Sequence, residues 1–431
     1  MSHYRHHNVP LLILGETTFR RGHHRFGLLP TDRLRHLYVL GKTGSGKSTL
    51  LLNLIRQDLE RGEGLVLLDP HGDVVDAVLG AMPEGRIRDV LLFDPSDRAF
   101  PVSFNVFRQG RKLHPDTALL TAQLIAVFRK YWADSWGPRL EHVLRNAILA
   151  VAGDPRATLL FLYRFLTDSE LRGKVVARIT DPVVRQFWVK EFPGYSKNLQ
   201  SDAVAPALNK LGAFAANPIV RNIIGQERSR LDLIEFMGRR GVMLASLPTG
   251  TIGEDASHLL GALLLSSVQL AAMERPRGGA PFMVYVDEFQ NFVADSVGVM
   301  LSEARKFGLG LILAHQYLGQ LTDSMQASVI GNVGTMVIFR VGGLDATALE
   351  PEFNPPFVAA DLMTLPRYHT AVKLLARGEQ LTPFSARTLP ASSAVTDAEL
   401  LKRRIRDESR ARYCQSERDV EAAIAKMMGA L

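Results

Sequence analysis

The 431-residue sequence predicts an α/β protein with a mainly parallel sheet and an inserted all-α segment. Three observations support this fold class. A glycine-rich loop lies between an apolar run and a helical pattern near residue 41. Short continuous apolar runs then recur along the chain, as expected for parallel strands that helices cover on both faces. Between two groups of such runs lies a long stretch, residues 111–237, whose apolar spacing is helical.

The glycine-rich loop is a complete phosphate-binding motif of the form G-x-x-x-x-G-K-[ST]. Its glycines allow backbone N–H groups to surround phosphates at a helix N-terminus. Lys47 is expected to reach the β and γ oxygens, and the Ser48 hydroxyl to ligate Mg²⁺. We therefore predict that the chain binds a nucleoside triphosphate, taken as ATP, together with Mg²⁺. The predicted nucleotide-binding residues are Gly41, Lys42, Thr43, Gly44, Ser45, Gly46, Lys47, Ser48 and Thr49.

The first part of the nucleotide-binding domain is predicted over residues 26–110, where strands and helices alternate. The predicted strands are 36–40, 65–68 and 90–93, and the predicted helices are 47–61 and 73–81. Residues 1–25 precede this domain and are rich in arginine and histidine. We expect them to form a solvated basic arm, because their histidines show no metal-ligand spacing.

Residues 111–237 are predicted to form an inserted all-α domain. Leu120, Leu124, Val127 and Tyr131 share one helical face, which is typical of a helix that packs on a core. Helix starts are predicted at Thr158, at Thr167 with Glu170 as a capping box, and at Asp181-Pro182.

Strands resume in residues 238–390, the predicted second part of the nucleotide-binding domain. The predicted strands are 242–247, 282–286, 309–313 and 335–341, with 369–375 and 382–389 as an antiparallel edge pair. The apolar run 259–273 is too short to span a bilayer, so we predict a buried helix. Residues 391–431 form a charged helical tail. Its mixed charge favours a solvated helix face, and a tail that binds DNA or a partner is the alternative.

Carboxylates follow the apolar strand 282–286. At the end of a strand beside the phosphate-binding loop, Asp287 can hold Mg²⁺ while Glu288 polarises an attacking water. Gln316 ends the strand near 309–313 and is expected to face the γ-phosphate; for His315 we favour a structural role. Asp69 ends an early strand. It can either approach the metal-bound water or serve as a turn and helix cap, and the sequence leaves both roles open.

The composition places limits on compartment and partners. A net charge of +7 and an isoelectric point near 9.5 are compatible with a polyanionic partner. Cys414 is the single cysteine, so an intrachain disulfide is excluded and a reducing cytoplasm is indicated; we expect the thiol to be inert. The N-terminus is not apolar, so no signal peptide is predicted.

Five motifs occur in an order and spacing that resemble the FtsK/HerA superfamily of DNA-pumping motors. They are 41–49, 69–73, 286–289, 304–308 and 314–316. Within that superfamily the chain looks most like the soluble part of type IV coupling proteins, the TraD/TrwB-like conjugation ATPases. Trp136-Gly137-Pro138-Arg139 at the start of the helical insertion also resembles them. The resemblance covers roughly residues 25–390.

The resemblance implies a RecA-like P-loop NTPase core and a homo-hexameric ring that threads DNA through a central pore, with ATP at the subunit interfaces. It also implies that Arg305, which occupies the arginine position of a G-R-K-x-G segment, reaches into the neighbouring subunit's site. Ala304 replaces the first glycine of that segment. Arg340 is a second candidate. It lies on the predicted strand 335–341, and a charge on an otherwise apolar strand needs a partner such as an interface phosphate.

Coupling proteins typically carry two N-terminal transmembrane helices, and this sequence has none. The expected protein is therefore cytoplasmic, docking onto a membrane-embedded or relaxosome-like partner at the inner face of the membrane. We predict an ATP-driven DNA translocase in conjugative or intercellular DNA transfer. A HerA-like translocase in DNA end processing or phage defence is an alternative. So is a non-motor ATP switch that scaffolds a secretion complex.

Overall fold

A computed structural model describes residues 11–18, 23–110, 112–133, 136–276, 278–292, 296–391 and 397–429. Most of its strands form one eleven-stranded sheet. The strands are β1 Leu12–Thr17, β2 Arg25–Leu28, β3 Leu37–Leu40, β4 Gly64–Asp69, β5 Val90–Phe93, β6 Arg108–Gln109, β7 Lys112–Leu113, β8 Val242–Ser246, β9 Phe282–Val286, β10 Leu309–His315, β11 Thr335–Ile338, β12 His369–Lys373, β13 Leu375–Ala376, β14 Glu379–Gln380 and β15 Phe384–Thr388.

Helices cover both faces of this sheet. They are α1 Pro30–Arg33, α2 Lys47–Glu60, α3 Asp73–Leu79, α4 Thr117–Tyr131, α5 Pro138–Ala152, α6 Leu159–Thr167, α7 Ser169–Val176, α8 Pro182–Gln186, α9 Phe192–Gly194, α10 Lys197–Ala216, α11 Pro218–Ile224, α12 Leu233–Gly238, α13 Thr249–Ile252, α14 Glu254–Glu274, α15 Ser296–Glu303, α16 Asp323–Asn332, α17 Gly343–Phe353, α18 Ala359–Thr364, α19 Ala398–Tyr413 and α20 Glu417–Met428. A π-helical turn, Phe187–Glu191, joins α8 to α9.

The sheet order is β2-β1-β15-β12-β11-β3-β10-β9-β4-β8-β5. All strands from β11 to β5 run parallel, and the remaining strands are antiparallel to their neighbours. In β3, Tyr38 and Leu40 belong to the larger apolar core with the inserted helices, whereas Leu37 and Val39 belong to the core with α2. Alternate residues of a strand point to opposite faces, so both faces of β3 are buried. This agrees with the predicted mainly parallel α/β fold.

The predicted basic arm over residues 1–25 is wrong for its described part. Residues 12–17 form β1, which pairs with β15 and with β2 inside the sheet. The physical reason is burial, because Leu12 and Leu14 join the apolar core beside α2. Residues 1–10 and 19–22 lie outside the described part of the chain. β12 and β15 pair as predicted, but β1 and β2 continue the sheet beyond them, so this pair is not an edge.

The stretch predicted as all-α contains α4 to α11 and nearly all of α12. The one strand within its described residues is the two-residue β7, which pairs with β6 just before the stretch. Thr158 caps α6 and Asp181 caps α8, as predicted. The predicted capping box at Thr167 is wrong. Asp168 caps α7 instead, while the Thr167 hydroxyl donates back into the last turn of α6.

The C-terminal residues are helical as predicted, but one side of them is buried. In α19, Ile405 and Tyr413 are buried, and Arg410 pairs with Asp97 at 2.7 Å. The helix packs along β5, so the tail is part of the fold rather than a free solvated helix. Cys414, at its end, is buried, and burial raises the pKa of its thiol to about 12.

Helix α14 contains the apolar run that we predicted to be a buried helix. Among the described helices it has the length and composition to cross a membrane, and 83% of its most apolar window is buried inside the protein. The prediction of a buried helix is confirmed.

Candidate nucleotide site

Four neighbouring strands in the order β3, β10, β9 and β4 end at the same edge of the sheet. We call this the nucleotide edge, defined by the residues that follow or end these strands: 41–48, Gln316, Asp287 with Glu288, and Asp69. Parallel strands bring their carboxyl ends together, and ligands of open α/β sheets bind there. The sheet order therefore gathers motifs that are far apart in the sequence.

The phosphate-binding loop joins β3 directly to α2, as predicted. Gly46 has φ +127°, a conformation that disfavours any side chain, and a Cβ there would lie 2.8 Å from the Tyr368 ring. At Gly41 a Cβ would lie 2.5 Å from the Phe339 Cβ. The glycines are therefore required by close packing as well as by backbone conformation.

Lys47 lies folded back into its own loop, where its Nζ donates to the Gly41 carbonyl oxygen at 2.7 Å. Burial lowers the pKa of this ammonium, while the nearby Glu288 and Asp287 carboxylates act in the opposite direction. Phosphate oxygens are stronger acceptors for an ammonium than a single carbonyl. Lys47 is thus placed where a phosphate could replace the carbonyl, and the neighbouring Ser48 is exposed at the start of α2.

Asp287 is buried at the end of β9. Its burial raises the pKa of the carboxyl to about 7, and the charges of Asp69 and Glu288 add to this effect, whereas Lys47 opposes it. A carboxyl that is buried beside other carboxylates favours a bound cation, which would restore its ionised form. This chemistry fits the predicted role of Asp287 as a magnesium ligand.

Glu288 belongs to a chain of side-chain hydrogen bonds across the nucleotide edge. Gln316 Nε2 donates to Glu288 Oε1 at 2.8 Å, and Thr43 Oγ1 donates to Gln316 Oε1 at 2.9 Å. Glu288 itself has φ +45° and ψ +54°, a left-handed conformation that is uncommon for a residue with a side chain. The structure thus brings Glu288, predicted to polarise water, and Gln316, predicted to face the γ-phosphate, together with the phosphate-binding loop.

Asp69 serves as a turn and helix cap, one of the two roles that the sequence left open. Its Oδ1 accepts from His71 N at 2.9 Å, and its Oδ2 accepts from Val74 N and Val75 N at the start of α3. These bonds use both carboxylate oxygens. Asp69 nevertheless contributes to the site through its charge, which helps to raise the pKa of Asp287.

The helix that follows the loop is fixed to β9 by a buried triad. Asp58 Oδ2, on α2, accepts from Arg33 Nη2 at 2.6 Å and from the Tyr285 hydroxyl at 2.5 Å. Tyr285 lies two residues before Asp287. This triad therefore ties the helix that starts at Lys47 to the strand that carries the carboxylates.

Arg305 lies far from the nucleotide edge of its own chain. It belongs to a short turn, Ala304–Phe307, that precedes β10, whereas Gln316 follows this strand. Seven residues of strand separate the two ends by roughly 23 Å, about 3.3 Å per residue, which is more than an arginine side chain can span. Arg305 is exposed and makes no ion pair with the described residues.

Arg340 lies at the nucleotide edge but not on a strand. β11 ends at Ile338, and Arg340 is exposed, with its carbonyl oxygen accepting from Lys42 N at 2.9 Å. Arg340 therefore does not need the partner that we predicted, because it lies beyond the strand and its side chain is exposed to solvent. A role in catalysis stays a prediction.

Sequence analysis missed several contacts of the loop. The Tyr368 N–H donates to the Ser45 carbonyl at 2.9 Å, and its ring packs against Gly46. Tyr368 has φ +66°, and Arg367 stacks over its ring at 4.7 Å. Gln320 accepts from the backbone N–H groups of Gln316 and Tyr317. These residues carry no motif, so the sequence offered no signal for them.

His315 has a structural environment. It is fully buried, its Nε2 lies 2.5 Å from the Tyr38 hydroxyl, and burial lowers its pKa to about 3. A histidine that stays neutral and buried in this way supports the end of β10, which is the role that we favoured for it.

The residues present fit a nucleotide with Mg²⁺. Among the described residues no group of three or more His, Cys, Asp or Glu side chains forms a metal site of its own. Magnesium in nucleotide sites is held by few protein ligands together with phosphates and water. One hydroxyl from Ser48 and one carboxylate from Asp287 match that donor set.

Comparison with known proteins confirms the resemblance to HerA-type and coupling proteins. The family model described as "Helicase HerA, central domain" matches residues 29–181. The type 4 coupling protein DotL of Legionella pneumophila is 23% identical over 400 residues, covering 75% of this chain. The chain spans 50% of the length of that relative.

Solved structures confirm the fold class. The plasmid coupling protein TrwB in complex with ADP and Mg²⁺ is 18% identical, with a TM-score of 0.63 over 86% of this chain and 89% of that one. VirB4 of Thermoanaerobacter pseudethanolicus is 14% identical, with a TM-score of 0.58 over 90% of this chain and 98% of that one. The chain has a TrwB-like P-loop NTPase fold with a large, mostly parallel sheet.

Proposed function

We propose that this chain hydrolyses ATP with Mg²⁺ and uses the energy to move DNA. The observation that carries the proposal is the convergence at one sheet edge of Lys47 and Ser48 with Asp287, Glu288 and Gln316. A phosphate-binding loop alone would serve a binding protein. Hydrolysis also requires a group beside the loop that can orient and activate a water, and the Glu288 carboxylate is proposed for this role.

Each residue has a defined task in this proposal. Lys47 moves from the Gly41 carbonyl to the phosphate oxygens, and Ser48 with Asp287 would hold Mg²⁺. Bound magnesium would neutralise charge that develops on the phosphate oxygens. Glu288 orients a water and accepts its proton, while Gln316 and Gln290 each donate one hydrogen bond to a different oxygen of its carboxylate. Gln316 can then report the state of the phosphate to the loop that follows it.

The active form is proposed to be a homo-hexameric ring in which Arg305 completes the site of a neighbouring copy. The distance along β10 prevents Arg305 from reaching its own nucleotide, and the side chain is exposed to a second subunit. An arginine supplied in trans stabilises charge on the transferred phosphoryl group. Hydrolysis would then depend on assembly.

DNA is the proposed cargo, in conjugative or intercellular DNA transfer. The likeness to coupling proteins and the net charge of +7 support this choice. We place the protein in the cytoplasm, at the inner face of the membrane, where a membrane-embedded or relaxosome-like partner would recruit it. Contacts to backbone phosphates would need no base-specific motif.

The direct test is the ATPase rate with and without single-stranded and double-stranded DNA, with particle mass measured by mass photometry on the same sample. We expect a rate that rises several-fold with one form of DNA and a mass six times that of the chain. Hydrolysis that DNA leaves unchanged, together with no displacement of proteins bound to duplex DNA, would instead support the non-motor switch.

A HerA-like translocase in DNA end processing or phage defence is the second candidate. The family model that matches residues 29–181 favours it. The two candidates share the nucleotide chemistry and differ in their partner. Co-purification of a nuclease or effector with the native protein would support the second candidate. Co-purification of a membrane channel or relaxase component would support the first.

A further inference from the structure

A wide cleft lies near the β5 edge of the sheet, away from the phosphate-binding loop that follows the central strand β3. It has a volume of about 1320 Å³ and opens between the β6–β7 pair, the segment 225–232 and the end of α19. We call it the basic cleft, because five cationic side chains line it: Arg108, Lys112, Arg228, Arg230 and Arg412. The nucleotide chemistry does not account for it.

Three of these cations, Lys112, Arg228 and Arg230, make no ion pair with the described residues. Arg230 donates instead to the Ala411 carbonyl oxygen, at 3.5 Å. Arg412 donates to the Arg88 carbonyl and lies 3.7 Å from a carboxylate oxygen of Glu408. A concave surface with unneutralised guanidinium groups attracts an anionic ligand.

The cleft also contains the carboxylates Glu227, Asp232 and Glu235. Asp232 already has hydrogen-bond partners, because its Oδ1 accepts from Ile234 N and Glu235 N at the start of α12. The other two would repel a continuous chain of phosphates. They would tolerate a ligand in which anionic groups are spaced and separated by neutral ones.

The size and lining of the cleft narrow the ligand class. Small-molecule sites occupy about 300–1,000 Å³, so this volume suits a segment of chain. The described lining contains no aromatic ring, whereas single-stranded nucleic acids bind largely by stacking their bases on such rings. Arginine forks match carboxylates with two parallel hydrogen bonds.

We propose that the basic cleft is a docking site for an acidic peptide segment of a partner protein. It lies beside β5, and the sheet order puts five strand spacings between β5 and β3. At about 4.8 Å per strand this separates the cleft from the phosphate-binding loop by roughly 24 Å. Peptide binding and ATP hydrolysis can therefore be measured independently.

The test uses the full chain and a fluorescein-labelled twelve-residue peptide of alternating glutamate and glycine, followed by anisotropy. The matched peptide replaces glutamate with glutamine. We expect the glutamate peptide to bind, the glutamine peptide to bind at least tenfold more weakly, and the affinity to fall as salt rises. The variant Arg228→Glu/Arg230→Glu should weaken binding of the glutamate peptide at least tenfold. Both side chains are exposed, so its melting temperature should be unchanged.

The control variant is Arg139→Glu/Arg185→Glu, which makes the same charge change at two exposed positions outside the cleft. It should bind the peptide like the unmodified protein. Equal weakening in both variants, or no binding by the unmodified protein, would overturn the proposal. So would a twelve-residue oligo-dT that binds and loses affinity only in the cleft variant, because the cleft would then be a nucleic-acid groove. An unmodified protein that binds the peptide but lacks ATPase activity would contradict the proposed function alone.

Discussion

The two ends of strand β10 differ in whether the side chains there find partners within one chain. At its carboxyl end, Gln316 is bonded to both Glu288 and Thr43, and the carboxylates are buried. At its amino end, Arg305 is exposed and has no ion pair with the described residues. The first end holds the groups to which we assign nucleotide binding. In the proposed function, the second end acts only when another copy of the chain is present.

This difference separates binding from turnover. Groups at the carboxyl end should affect nucleotide binding or the chemical step in each subunit. Arg305 should affect turnover only in an assembly. Variants at the two ends of the strand therefore test the comparison from both sides.

Lys47→Ala should have the largest effect. Removing the ammonium leaves the phosphate charge unbalanced inside the loop, so nucleotide binding should weaken strongly and the ATPase rate should fall below about one thousandth of its starting value. Binding of a fluorescent ATP analogue and phosphate release are the measurements. Near-normal nucleotide binding and near-normal phosphate release would show that Lys47 is not part of the nucleotide site.

Arg305→Ala should lower turnover by about 10³-fold while leaving nucleotide binding intact. Mixing this variant with Lys47→Ala should restore part of the activity, because mixed rings pair an intact arginine with an intact loop. Phosphate release at several mixing ratios measures the rescue, and mass photometry checks that the variants assemble together. Co-assembly without rescue would contradict an arginine that acts in trans.

Glu288→Gln should keep ATP bound and slow hydrolysis by about 10²-fold, since an amide can still orient water but cannot accept its proton. Single-turnover hydrolysis measures the chemical step directly. An unchanged single-turnover rate would show that another group is the base.

Gln316→Ala should have a smaller effect, about tenfold on the ATPase rate. The variant breaks both the contact to Glu288 and the contact to Thr43, so it should also weaken the dependence of the rate on DNA. A matched control is Gln326→Ala, which removes a nearby glutamine whose amide nitrogen donates to the Leu318 and Leu321 carbonyls. If the two variants behave alike, the hydrogen-bond chain has no special role.

Asp287→Asn should change stability as well as activity. Because burial raises the pKa of Asp287 to about 7 from its ordinary 3.8, its contribution to folding is complete below about pH 4 and is lost as the pH rises through 7. At pH 8, without nucleotide or metal, the asparagine variant should be more stable by on the order of 2 kcal/mol. Denaturant titrations at pH 5 and pH 8 measure this. The gain should be much smaller at pH 5, and an equal gain at both values would contradict the ionisation argument.

Sequence patterns predicted the parallel part of the sheet well. Strands β5 and β9 begin and end where their apolar runs do, because both of their faces are buried and an aspartate follows each of them. β1 was missed because its six residues find their partner in β15, far along the chain. The local sequence pattern carries no information on a pairing between strands so far apart in the chain.

The candidate site was predictable where one motif specifies one geometry, as in the phosphate-binding loop. The site was less predictable where one side chain can serve two purposes, such as contacting a metal-bound water or capping a helix. Asp69 could be assigned to capping only from its three backbone hydrogen bonds. The Arg340 argument failed because the strand ends two residues earlier, and boundaries of this kind depend on tertiary pairing.

The environment of the single cysteine has a practical consequence. With a pKa of about 12 and almost no exposed surface, the Cys414 thiol stays protonated and buried at neutral pH. We therefore expect thiol-reactive dyes not to label it. Cysteines introduced at exposed positions could then be labelled one at a time in the otherwise native background. Fluorescence energy transfer between such labels would report how neighbouring copies shift during turnover.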